Sequence, residues 1–171
     1  MRPGGAELWV ADQGDGTVSV VDLATRAVTR TVPVGAAPFG VAFTPDGGHA
    51  YVSNNGSGTV SVIDTAAYAV TATVPVGSGP EYLAIAPDGR TAYVAASGPG
   101  GVTPIDTATG TARALIPTGG GAYALALSPD GGVLWTVDSN TNDIRPVNTA
   151  TGTAGPPVTV GNVPDGIAVT G

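Results

Sequence analysis

The chain has 171 residues, 42% hydrophobic and 11% charged, with 27 glycines, 15 prolines and no cysteine. A formal net charge of −7, with six basic side chains that are all arginine, excludes the basic stripe that nucleic acid or an anionic membrane needs. The lack of cysteine excludes disulfides and thiolate metal sites, and no segment approaches the ~18 apolar residues of a membrane span. The opening Met-Arg-Pro-Gly-Gly has no apolar stretch behind it that would act as a signal peptide, so the sequence reads as soluble.

Glycine and proline at this level would signal disorder if they were scattered, but they recur with a period. The chain returns on itself every 42 residues without insertion or deletion. Trp9, Tyr51, Tyr93 and Trp135 align, as do Asp22, Asp64, Asp106 and Asn148; Gly35, Gly77, Gly119 and Gly161; and Asp46, Asp88 and Asp130. The units 8–49, 50–91, 92–133 and 134–171 therefore divide a single domain, 1–171.

Each unit reads as strands. In the second, apolar runs at 50–53, 59–64, 70–76 and 82–86 are separated by hairpin-length turns rich in Gly, Asn, Asp and Pro. No apolar stripe of helical period runs between caps. In the third and fourth units Pro104 and Pro146 fall within the second strand, where each removes a ladder donor and puts regular pairing in question. Four short strands per unit, repeated radially, define an all-β propeller of four four-stranded blades. A β-sandwich would give irregular spacing and no 42-residue self-match.

Tyr51-Val52-Ser53-Asn54, Gly-Thr-Val-Ser-Val-Ile-Asp-Thr over 58–65, Val74-Pro75-Val76-Gly77 and Pro87-Asp88-Gly89 together resemble the YVTN-type β-propeller repeat. The resemblance spans the chain and is looser in the last two units, which carry Tyr93-Val94-Ala95-Ala96 and Trp135-Thr136-Val137-Asp138. It implies that the strand before Pro-Asp-Gly is the innermost of its blade, with the next three running outward. It also implies proteins that are often secreted or attached to the cell surface.

The inner strands read Val41-Ala42-Phe43, Leu83-Ala84-Ile85, Leu125-Ala126-Leu127 and Ile167-Ala168-Val169, with a large residue on one face and alanine on the other. That pattern suits convergence on an axis. Pro3 shares the column of Pro45, Pro87 and Pro129, and Gly171 falls in the same column after the strand 167–170. The last strand is thus expected to complete the first blade, since an open edge and an uncovered apolar face are liabilities. Thin filling by Val, Ala, Thr and Gly, with nine aromatic residues, favours more than four blades. The favoured assembly is a homodimer forming an eight-bladed ring; the alternative is a closed four-bladed monomer.

Catalytic residues are sparse. His49 is the only histidine and follows a Pro-Asp-Gly-Gly turn, and there is no Gly-x-Ser-x-Gly elbow or histidine pair for zinc. No metal or cofactor is expected. Asp22, Asp64 and Asp106 read as Asx-turn residues, and the aromatic column as packing between blades. The oxygen-rich loops 12–16 and 138–143 would suit a calcium ion only weakly, being far from an EF-hand pattern.

Candidate ligand contacts are the columns that vary on a constant scaffold. Phe39, Glu81, Tyr123 and Asp165 occupy the loop entering the inner strand, and Asp12, Asn54 and Asp138 the loop between the second and third strands. Both loops belong to one face of the disk. The expectation is a non-catalytic scaffold that binds a protein, peptide or glycan through this face. The rivals are a structural repeat assembly without ligand, and part of an enzyme of the propeller lyase or lactonase type.

Overall fold

The computed structural model describes residues 3–170. Along the strands, β-branched side chains alternate with small or polar ones, so two faces of each sheet can pack. The first sheet holds β1 (Glu7–Asp12), β2 (Thr17–Asp22) and β3 (Ala27–Pro33). The second holds β4 (Pro38–Phe43), β5 (His49–Asn54), β6 (Thr59–Asp64) and β7 (Ala69–Pro75). The third contains β8 (Pro80–Ile85), β9 (Thr91–Ala96), β10 (Gly101–Asp106), β11 (Thr111–Ala112) and β12 (Ile116–Pro117). The fourth contains β13 (Ala122–Leu127), β14 (Val133–Asp138), β15 (Asp143–Asn148), β16 (Thr153–Ala154) and β17 (Val158–Thr159). All pairings are antiparallel.

Each complete sheet takes its inner strand from the preceding 42-residue unit. β4, β8 and β13 lie side by side, and each sheet stacks on the next. This is a propeller-like β fold. There is no helix among the described residues, and so none long and apolar enough to cross a membrane.

The core lies between sheets. Trp9, Val18, Val20 and Val32 of the first meet Ala50, Val52 and Ile63 of the second. Tyr51, Val60, Val62 and Val74 meet Leu83, Ala92, Val94 and Ile105. Tyr93, Val102 and Ile116 meet Ala122, Leu125, Leu134 and Val147. Trp9, Tyr51 and Tyr93 therefore fill the wedge towards the following sheet, whereas Trp135 has no sheet beyond it and stays partly exposed.

Turn chemistry repeats with the sequence. The Oδ1 atoms of Asp22, Asp64, Asp106 and Asn148 accept backbone N–H bonds from residues two or three ahead, closing Asx turns. Thr65, Thr107 and Thr149 donate to the carbonyls of Gly47, Gly89 and Gly131, fastening the two turns at that end of each sheet.

The prolines act on a different strand from the one their sequence position suggests. β10 and β15 pair regularly with β9 and β14, Pro104 lying opposite Tyr93 and Pro146 opposite Trp135. The break falls on the outer neighbour, which is split into β11 and β12 in one sheet and β16 and β17 in the other. The missing N–H faces outward, where β3 and β7 remain continuous in the proline-free sheets.

The strand expected at 167–170 does not form: these residues pair with no strand, and β1 pairs only with β2 among the described residues. Among the described residues the last segment is therefore not seen paired with the first sheet. Gly171 lies outside the described residues.

Candidate functional site

Phe39, Glu81 and Tyr123 lie in β4, β8 and β13, not in the loops before them. Each inner strand carries a β-bulge near its start, between Pro38 and Val41, Pro80 and Leu83, and Ala122 and Ala124. A bulge re-aims the side chains on its strand. In β8 it is Tyr82, next to the aligned Glu81, that joins the other rings.

Phe39, Tyr82 and Tyr123 form a closed triangle of edge-to-face contacts. Their ring centroids are 5.1 Å apart for Phe39–Tyr82, 5.8 Å for Phe39–Tyr123 and 5.7 Å for Tyr82–Tyr123. Edge-to-face pairing places the positive ring edge on the negative face and is worth about 0.5–1.5 kcal/mol per pair beyond area burial. Tyr82 nevertheless leaves 43% of its surface to solvent.

Glu81 is buried beside the rings. Its Oε1 accepts from Asn55 Nδ2 and Ser97 Oγ, both at 3.0 Å, so residues of two sheets hold one carboxylate. The adjoining backbone is fixed too: Ser53 Oγ donates to the Glu81 carbonyl at 2.5 Å and accepts the Gly40 N–H at 2.9 Å. The Tyr123 hydroxyl is held above its ordinary pKa, first by burial and then by Tyr82, Glu81 and Asp165, whose negative charges oppose its ionisation. Asp165 therefore lies within electrostatic reach of the triangle, in a segment without strand structure.

The other predicted column serves the scaffold. Asp12 accepts from Thr17 Oγ1 at 3.2 Å and Ser19 Oγ at 2.6 Å. Asn54, fully buried, donates to Thr59 and Ser61 and accepts the Gly35 N–H. Asp138 is fully buried, accepts from Thr118 at 3.0 Å and lies 4.0 Å from Arg145. Burial raises its pKa, and the neighbouring Asp143 adds to the shift. These three side chains are engaged with their own chain and are not gathered with the aromatic triangle. Among the described residues no three His, Asp or Glu side chains group as a cation site.

No family model matches the chain, and no curated protein does. Solved structures do. Hydrazine synthase from Kuenenia stuttgartiensis is similar at 32% identity and a TM-score of 0.90, over 94% of this chain and 47% of that one. A functionally unknown protein from Desulfotomaculum acetoxidans is similar at 20% identity and a TM-score of 0.83, over 98% of this chain and 59% of that one. The chain thus spans about half the length of these structures. They agree with the propeller-like fold. They support the fold that the YVTN resemblance implies, and no family model supports that family specifically.

Proposed function

We propose that this chain is a non-catalytic scaffold that binds a protein, peptide or glycan at the Phe39–Tyr82–Tyr123 face. The observation that carries the reading is the triangle itself, with one ring edge open beside a buried carboxylate. Exposed aromatic surface on rigid strands takes apolar side chains or sugar faces at little entropic cost, and a fixed acidic group selects for a donor. Asp165, within charge range of Tyr123, would add to that selection.

Short phage-displayed peptides and a printed glycan set, probed with wild type and with Tyr82→Ala, test the reading. Ligands held by wild type and weakened about tenfold or more by Tyr82→Ala are expected. No ligand, or the same ligands at equal strength for both proteins, overturns it.

A second proposal concerns partners. Leu8 and Val10 are 38% and 41% exposed, whereas their counterparts Ala50, Val52, Ala92 and Val94 are completely buried by the preceding sheet. The partly exposed Trp135 belongs to the opposite type of flank. The two uncovered flanks are complementary in the way that consecutive sheets are, and a second copy is the occupant proposed, completing an eight-bladed ring head to tail.

A further inference from the structure

Three connections launch an inner strand in the same way. Val34, Val76 and Thr118 donate their N–H groups to the carbonyls of Gly16, Gly58 and Gly100, and β4, β8 and β13 follow. Each inner strand leaves the sheet behind it and pairs with the second strand of the sheet ahead, always in one register. Val41, Ala42 and Phe43 lie opposite Val52, Tyr51 and Ala50. The same columns pair in β8 on β9 and in β13 on β14, so that an alanine faces an aromatic residue each time.

A fourth connection repeats the launch. Val160 donates to the Asn142 carbonyl at 2.9 Å, the counterpart of the three earlier bonds. The Val163 N–H then donates to Asn142 Oδ1 at 2.7 Å. Val163 has φ +50°, beside +48° at Ala37 and +65° at Gly79 in the same column. A β-branched residue enters the left-handed region only where its surroundings impose it, so this backbone is held in the geometry that precedes an inner strand. Residues 164–169, Pro-Asp-Gly-Ile-Ala-Val, continue the inner-strand pattern. The charge of Asp165 reaches the Tyr123 hydroxyl, which sets the segment near β13 as β13 itself stands beside β8. It pairs with no strand among the described residues, and Val169 is 37% exposed.

β1 has the matching deficit. β5, β9 and β14 are paired along both edges, whereas β1 pairs with β2 alone among the described residues. Its inner edge offers backbone N–H and C=O groups to an added strand. Leu8 beside that edge is 38% exposed, although Ala50, Ala92 and Leu134 in its column are completely buried.

We infer that residues 164–170 of one copy add to β1 of a second copy as its inner strand, antiparallel, with Ile167 opposite Val10, Ala168 opposite Trp9 and Val169 opposite Leu8. The register is that of β4 on β5 carried along the 42-residue columns, and backbone hydrogen bonds supply the attachment. The inference rests on the head-to-tail pairing of copies proposed above and adds to that contact of faces an exchange of strands.

The chain has no cysteine, so a disulfide between introduced thiols reports the pairing directly. Residues directly opposite in an antiparallel ladder lie within disulfide reach, and residues on opposite faces do not. Leu8→Cys/Val169→Cys, oxidised with glutathione disulfide, is expected to give a covalent dimer on non-reducing gels. Its yield should exceed about fivefold that of Leu8→Cys/Ala168→Cys, whose second thiol is on the other face. Leu8 and Val169 are both solvated within one copy, so the substitutions leave its core intact. A mixture of the two single variants, Leu8→Cys and Val169→Cys, is expected to cross-link as well. Thiols that stay free, thiols joined within one chain, or equal yields from Leu8→Cys/Ala168→Cys or from a single variant alone overturn the exchange. Light scattering on the same samples before oxidation separates the two proposals. A mass of twice 16.6 kDa without the disulfide removes the exchange alone, and the single-chain mass removes both.

Discussion

The Oδ1 atom of Asn54 accepts the backbone N–H of Gly35 at 3.1 Å, joining the end of β5 to the segment that leaves the first sheet for the second. The same side chain donates to Thr59 and Ser61 at 3.1 and 3.0 Å. Asn54→Ala removes one bond from each of the three partners, that to Ser61 fully buried and those to Gly35 and Thr59 partly buried. The expected loss is about 2–3 kcal/mol of unfolding free energy, read from urea denaturation. A loss below about 0.5 kcal/mol would show that the clamp is not a structural tie.

Two glycines with similar backbones separate steric cost from conformational cost. Gly100 and Gly110 have φ of +72° and +65°. A Cβ on Gly100 runs into the backbone carbonyl of Gly120, whereas one on Gly110 meets open space. Gly110→Ala is expected to cost about 1 kcal/mol, the ordinary penalty of the left-handed region, and Gly100→Ala about 2 kcal/mol more, because a backbone must move. Equal melting temperatures for the two variants would contradict this.

Much of this architecture is legible in 42-residue columns. The Trp9 column shows the inter-sheet wedge, the Asp22 column its Asx turns, and the strand before each Pro-Asp-Gly its inner position. Tyr82 escapes the columns because the bulge in β8 changes which of two adjacent residues faces the other rings, and alignment pairs Phe39 with Glu81 instead. The intrachain bonds of Asp12, Asn54 and Asp138 escape the columns for another reason: a polar residue at a strand end looks the same whether it faces a ligand or its own hairpin. For Asp12 and Asn54 a signal lies five and seven residues ahead, in Thr17 and Ser19 and in Thr59 and Ser61; Asp138 has Asp143 and Arg145 there and takes its hydroxyl partners from Thr118 and Thr136 instead. The outer strands beyond Pro104 and Pro146 break for a reason written on a neighbouring strand, which periodicity within one strand does not reveal.

Asp138 gives a dependence on pH. Burial and the charge of Asp143 raise its folded-state pKa above the ordinary 3.8, so the native state binds this proton more tightly than the unfolded chain. Its effect on stability is therefore most favourable with the proton bound, and declines as pH rises from about the unfolded value through the raised folded value. Asp138→Asn removes the charge and keeps an oxygen acceptor for Thr118, as Asn54 does in the second sheet. Relative to wild type it is expected to gain about 1 kcal/mol at neutral pH and to lose that advantage towards pH 4. The exposed Asp46 and Asp130, whose pKa values are lowered by bonds from Thr44 and Ser128, work in the opposite sense in both proteins and cancel in the comparison. An advantage for Asp138→Asn that grows on acidification would reverse the assigned direction.

The uncovered flanks supply the last test. Within the chain, the surface carrying Trp9 is closed by Ala50, Val52 and Ile63, and the surface carrying Tyr51 by Ala92, Val94 and Ile105. Leu8 and Val10 repeat the closing surface with no sheet upon it among the described residues, and Trp135 repeats the surface to be closed. Two copies meeting head to tail would satisfy both pairs of flanks at once, and exposed apolar faces of this kind favour association. Light scattering is expected to give a mass of twice 16.6 kDa. Val10→Lys places a charge at the centre of the contact, where desolvation without a partner costs several kcal/mol. It is expected to yield the single-chain mass with an unchanged far-ultraviolet circular dichroism spectrum, because Val10 is already solvated within one copy. Wild type that remains a single chain at high concentration, or Val10→Lys that still associates, would show that a second copy does not cover these flanks.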